Sequence, residues 1–137
     1  MKSIRERLAG EYNLSIPFGM NIIDMEKVYN MLDERELLDS KGNPARIDVI
    51  RRRIVLRANK EGLYNIEQVR KQVKKAFDNF CRKNKDCSIL SPRNINAVRN
   101  AFDAATVEEL FRIYPTSSLN MDRFFTFIDK VIHDNNS

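Results

Sequence analysis

The sequence predicts an all-α protein, a single domain over residues 1–137 built from six to seven short-to-medium helices. Three observations lead there. Only four glycines and four prolines occur in 137 residues, too few turn-formers for a many-stranded β fold. Apolar residues recur at steps of three and four, the period of a helix with one buried face. Helix-start signals then follow one another at intervals that suit helices of ordinary length. Hydrophobic residues make up 42% of the chain and charged residues 31%, a balance that supports a buried core.

Each element has its own justification. Ile4 and Leu8, one turn apart, predict a short first helix over 3–12, followed by a loop through Pro17 and Gly19. Asp24 is placed to cap a second helix in which Met25, Val28, Tyr29 and Leu32 share one face. DSKGNP, residues 39–44, has turn composition. Asn43-Pro44 then supplies an N-cap and the residue best tolerated at the first helical position, so a third helix is expected over 44–59, stopping near Gly62. Its centre, IRRRIVLR at 50–57, has β-branched residues that also suit a strand, but the bracketing signals enclose a helix-length interval.

Asn65 and Gln68 have capping-box spacing and open a fourth helix to about Lys83, with Ile66, Val69, Val73, Phe77 and Phe80 on its core face. Ser91-Pro92 starts a fifth carrying Ile95, Val98 and Phe102. Thr106 with Glu109 is a second capping-box pair, leading into a short helix that Pro115 ends. Asn120 caps the last helix, where Leu119 and Phe124 are spaced for a hydrophobic staple and Phe124, Phe127, Ile128 and Val131 face one way. The terminal DNNS is expected to fray.

Charge divides the chain into thirds. Residues 1–42, the N-terminal helices and loop, hold six Lys/Arg against eight Asp/Glu, and residues 88–137, the C-terminal helices, hold five against six. Residues 43–87 hold thirteen against five, so the whole excess behind the net charge of +5 lies in a central basic helix pair. No apolar run approaches the roughly 18–20 residues that span a bilayer. Arg5, Glu6, Arg7 and Glu11 interrupt the stretch where a signal peptide would be apolar. A soluble, cytoplasmic protein without a membrane partner is expected.

Catalysis finds little support. His133 is the one histidine and lies close to the C-terminus, where a general base is hard to hold rigid. GxSxG, HExxH and phosphate-loop patterns are missing. Asp39 to Asn43 fails as a calcium loop, with lysine at its third position and Ile50 at its twelfth. Cys81 and Cys87 lack the further ligands a zinc site needs. The expectation is a non-enzyme with no cofactor and no metal.

The basic centre points instead to binding. At about 100° per residue, Arg46, Arg53, Arg57 and Lys60 fall in one stripe beside an apolar face of Ile47, Ile50, Ile54 and Ala58. Val49 and Leu56 flank the stripe on its other side and suggest a second packing contact. Arg51 and Arg52 point elsewhere. The fourth helix adds Lys71, Lys75 and Arg82 opposite its core face, with Arg70 and Lys74 on the flank and Gln68 near its exposed start. Basic side chains brought to phosphates release counterions, and arginine can donate two parallel hydrogen bonds to phosphate oxygens. DNA or RNA is therefore the favoured partner, ahead of an acidic protein. The bland alternative is a solvated charged face, with arginine stems covering apolar neighbours.

A second function class rests on apolar strips. NLSIPFGMNIIDM, residues 13–25, offers Ile16, Phe18 and Met20 as an adaptable docking surface or homodimer contact. Phe125, off the main apolar face of the 121–128 strip, is a candidate surface anchor for a protein-binding regulator, adaptor or escort.

Overall fold

The computed structural model describes residues 15–137, and the helix expected over 3–12 lies outside them. Among the described residues there are six α-helices and one 3-10 turn: α1 (Ile22–Met31), the 3-10 turn (Glu34–Leu37), α2 (Ile47–Lys60), α3 (Ile66–Lys83), α4 (Pro92–Ala104), α5 (Val107–Ile113) and α6 (Met121–Asn135). Extended pairing is limited there to an isolated antiparallel bridge between Leu38 and Pro44. The fold is all-α, with 50–57 helical throughout. No helix among the described residues is long and apolar enough to cross a membrane.

The chain divides into two compact units at the Asn65–Ile66 junction. In the first, α1 packs on α2, and α2 on the 3-10 turn. Met25, Val28, Tyr29 and Leu32 are buried with Leu37, Ile50, Ile54, Val55 and Ala58. Two boundaries differ from the sequence prediction. Asn21, not Asp24, caps α1: its Oδ1 accepts the Asp24 N–H at 2.7 Å, so the helix starts earlier. The start of α2 moves three residues later because Asp39 organises the preceding turn. Its Oδ1 accepts from the Lys41 and Asn43 backbone N–H groups at 2.9 and 3.0 Å, and Gly42 takes φ +80°, a left-handed conformation open to glycine. Pro44 then lies in the bridge rather than at the helix start. Gly62, at φ +74°, ends α2 as expected. Of the two residues expected to make a second packing contact, Val49 is half-buried and Leu56 38% exposed, while Val55 between them in sequence is fully buried.

In the second unit α4 packs on α3 and α6, while α5 packs on α3 and α6. Phe102 is the centre. Its ring lies 6.0 Å from Phe77 edge-on, 6.0 Å from Phe124 stacked, and 4.8 Å from Phe127 stacked. Val69, Val73, Val98, Leu110 and Ile128 complete the interior. The helix starts are those the sequence signals. Ser91 Oγ accepts the Asn94 N–H, Thr106 and Glu109 bond reciprocally, and Asn120 Oδ1 accepts the Arg123 N–H.

The terminal DNNS is tied down, contrary to expectation. α6 continues to Asn135, whose side chain donates to Asn94 Oδ1 at 2.9 Å while its carbonyl accepts from Arg93. Asn94 is buried, and its own amide donates to the Ile89 carbonyl at 2.7 Å.

Candidate functional site

The residues of the basic centre fall on both sides of the Asn65–Ile66 junction, and each group is described within its own unit. On α2 the middle of the predicted stripe is engaged. The Arg53 guanidinium donates through Nη1 to the carbonyls of Glu36 and Leu38, tying the helix to the end of the 3-10 turn. The contact uses the backbone of Glu36. That residue's carboxylate accepts the Asp33 N–H at 3.0 Å instead. Arg57 pairs with Glu61 at 3.2 Å, one turn on. Arg46 is 87% exposed, and its nearest acid, Asp48, is 3.9 Å away. Lys60 is exposed in the last turn. The exposed cations of α2 therefore sit at its two ends.

On α3 the roles separate differently. Arg70 is 14% exposed and works inside the fold: Nε donates to the Phe102 carbonyl at 3.0 Å, Nη2 to Ala105 at 2.9 Å, and Nη1 to Glu67 at 2.6 Å. Those carbonyls belong to the end of α4, where the helical i+4 donors run out; the Phe102 carbonyl also accepts the Ala105 N–H at 3.4 Å. Lys74 crosses to Asp103 at 2.8 Å. Lys71 and Lys75 are exposed and carry no hydrogen bond or ion pair among the described residues. Arg82 is exposed and donates to the Asn79 side-chain oxygen, a neutral partner. Gln68 is exposed in the first turn.

The structure gathers Arg70, Lys71, Lys74 and Lys75 along one open groove of about 370 Å³ between α3 and α4, lined also by Glu67, Asp78, Arg99 and Asp103. Arg99 is absent from the sequence-derived set. Its signal there is the i,i+4 spacing to Asp103, which local periodicity reads as ordinary surface charge. In the groove it pairs with Asp78, and that hydrogen bond raises the guanidinium's pKa despite partial burial. The bond from Lys74 holds the Asp103 carboxyl below its ordinary value, with Arg70 and Arg99 adding to the effect. Three acids thus meet three cations, and the surplus positive charge lies at Lys71 and Lys75.

The predicted protein-contact residues also separate. Phe18 and Met20 are half-buried and Ile16 is exposed, while Ile23, in the first turn of α1, is 73% exposed. Asn13 and Leu14 lie outside the described residues. Phe125 is half-buried, and its ring is engaged by Phe80 at 5.1 Å and Phe124 at 5.3 Å rather than standing clear of the surface. Among the described residues no cluster of three His, Cys, Asp or Glu is arranged to hold a metal ion.

Comparison with known proteins finds no family model, no curated protein and no solved structure that matches this chain.

Proposed function

We propose that this protein is a non-enzymatic nucleic-acid-binding protein that docks on the phosphate backbone through the exposed side of α3. The observation that carries this reading is the pair Lys71 and Lys75. They stand one turn apart, exposed, at a groove whose other charges are matched acid to base. Arg82 follows within about 40° of the same helix face. Lysines without an internal partner keep three donors each for phosphate oxygens, and bringing them to a polyanion releases condensed counterions. Such contacts position the protein without reading bases, and Gln68, exposed in the first turn of the same helix, is a neutral polar group for base-edge contact.

Fluorescence anisotropy with duplex DNA and with RNA tests the reading. Two or three phosphate contacts give a log–log salt slope of about −2 to −3 on duplex DNA. Lys71→Glu with Lys75→Glu is expected to abolish binding while leaving the circular dichroism unchanged. Equal binding by wild type and this double variant on both nucleic acids would end the proposal.

A second reading has its own observation. Ile22 and Ile23 are exposed at the start of α1, an apolar edge suited to a protein partner or a second copy. Ile23→Glu is expected to abolish any self-association seen by sedimentation. A chain that sediments as a monomer at all concentrations removes the dimer version.

A further inference from the structure

A second groove, of about 310 Å³, runs between α5 and α6, and its chemistry differs from that of the lysine groove. Its floor is apolar. Ile113 is buried there, and Phe127 is half-buried with one ring face stacked on Phe102. Its rim carries Arg112, Arg123 and Lys130, none of which pairs with a carboxylate among the described residues. The Arg123 side chain instead reaches the Arg112 carbonyl at 3.4 Å, which brings these two residues to the same end of the groove. Lys130 is seven residues along α6 from Arg123, so it lies on the same face about 10 Å further on.

Glu109 and Asp122, the two acids of the lining, offset part of this charge and leave an excess of one positive charge, but neither pairs with a rim cation. The Glu109 carboxylate already accepts the Thr106 N–H at 2.9 Å as part of the α5 cap. Asp122 stands in the first turn of α6, where a negative charge complements the helix dipole.

We infer that this groove binds an acidic peptide segment of a partner protein. An apolar side chain of the segment seats on Phe127, and carboxylates on either side of it meet Arg112 with Arg123 at one end and Lys130 at the other. Charge complementarity selects the occupant. Three unpaired cations around an apolar floor call for a ligand that supplies anions and an apolar anchor together. A phosphate backbone supplies the anions alone. The inference does not depend on nucleic-acid binding by α3, since it uses different residues on different helices.

The test uses the full chain and a short fluorescein-labelled peptide, rich in glutamate with a central Leu-Phe pair. Two control peptides accompany it, one with Leu-Phe replaced by serines and one with the glutamates replaced by glutamines. Both controls are expected to bind at least about tenfold more weakly. Arg123→Glu with Lys130→Glu is expected to cause a loss of similar size, with unchanged thermal stability because both side chains are exposed. Thr126→Trp, an exposed position on the groove wall, fills the space and gives the same loss. Lys71→Glu with Lys75→Glu leaves peptide binding intact, which separates failure here from failure of the nucleic-acid reading. Absence of peptide binding overturns the inference, as does equal binding of the serine control. Loss of duplex DNA binding in the Arg123→Glu, Lys130→Glu variant overturns it in favour of a nucleic acid in this groove.

Discussion

The helices α2 and α3 are both strongly basic, yet they use their charge in different ways. Each contains one arginine that works as a structural tie. Arg53 reaches the carbonyls of Glu36 and Leu38 at the end of the 3-10 turn, and Arg70 those of Phe102 and Ala105 at the end of α4. In both cases a guanidinium bonds carbonyls at the end of another helical segment, Arg70 with the fork of Nε and Nη2 and Arg53 with Nη1 alone. What remains differs. On α2 Arg57 is paired, and the exposed cations, Arg46 and Lys60, lie about 20 Å apart along the 14-residue helix, with Arg51 half-exposed between them. On α3 two exposed cations without a partner among the described residues, Lys71 and Lys75, are neighbours, and Lys83 lies at the helix end. A run of basic residues is therefore not a measure of available charge. Arginines near orphan carbonyls are drawn into the fold, while lysines on the outer face stay available.

The largest expected effect tests that division directly. Arg70→Ala removes three hydrogen bonds from a mostly buried group and leaves two carbonyls without it, a loss of about 2–4 kcal/mol. Arg53→Ala, with two bonds to carbonyls, is expected to cost about 2–3 kcal/mol. Lysine at position 70 keeps the charge but not the fork and should recover less than half of the loss, whereas at position 53, where one nitrogen makes both bonds, it should recover more. Denaturant titration reads all four variants. If Arg70→Ala shifts the midpoint no more than Lys71→Ala does, the distinction between tie and free cation fails.

Where the physics is local, the sequence already shows the fold. Ser91-Pro92, Thr106 with Glu109, and Asn120 mark the starts of α4, α5 and α6 because an N-cap bonds within its own turn. The start of α1 is misplaced by that same logic, since Asn21 and Asp24 both have capping chemistry and Asn21 takes the position. The arginine stripe on α2 is legible as an angle. The partners of its members are not, because the carbonyls that hold Arg53 lie 15 and 17 residues away and those that hold Arg70 lie 32 and 35 away. The same holds for the C-terminus. DNNS has the composition of a frayed end, and only Asn94, 41 residues earlier, explains why it is held.

The next effect concerns function and should leave stability alone. Lys71→Glu with Lys75→Glu alters two exposed side chains without partners, so its stability change should stay within about 0.5 kcal/mol per site. Nucleic-acid binding should nevertheless be lost. The contrast with Arg53→Ala and Arg70→Ala makes the comparison sharp. One pair of variants should move the denaturation midpoint, the other the affinity.

Asp103 offers a smaller, graded version of the same experiment. Its carboxylate neutralises Lys74 next to the two free lysines. Asp103→Asn should release Lys74 for phosphate and steepen the salt slope by about 0.9, one further contact. The pH dependence has a definite sign. A carboxyl whose folded pKa lies below its unfolded value of about 3.9 contributes stability above that value and loses it as pH falls through the folded pKa. The stability difference between wild type and Asp103→Asn should thus be flat between about pH 5 and 8 and shrink progressively as pH falls below the unfolded value. A difference that grows in acid would mean that the Lys74 bond is not what lowers the pKa.

The smallest effect is a rate, and it reports on the packing beneath the lysines. Cys81 is half-buried on α3, and Cys87 is exposed in the turn that follows. Burial raises the Cys81 thiol pKa and Asp78 raises it further, while Arg99 pulls the other way. Since the thiolate is the reactive form, an alkylating reagent at mildly alkaline pH should modify Cys87 first and Cys81 more slowly. Mass spectrometry of timed aliquots distinguishes the two sites. Arg70→Ala loosens the tie between α3 and the end of α4 and should speed the labelling of Cys81 with little change at Cys87. Lys71→Glu with Lys75→Glu should change neither rate by more than about twofold, because those side chains hold nothing in place. Faster Cys81 labelling in the lysine variant would show that the outer face of α3 also supports the fold, and would dissolve the contrast between its arginine and its lysines.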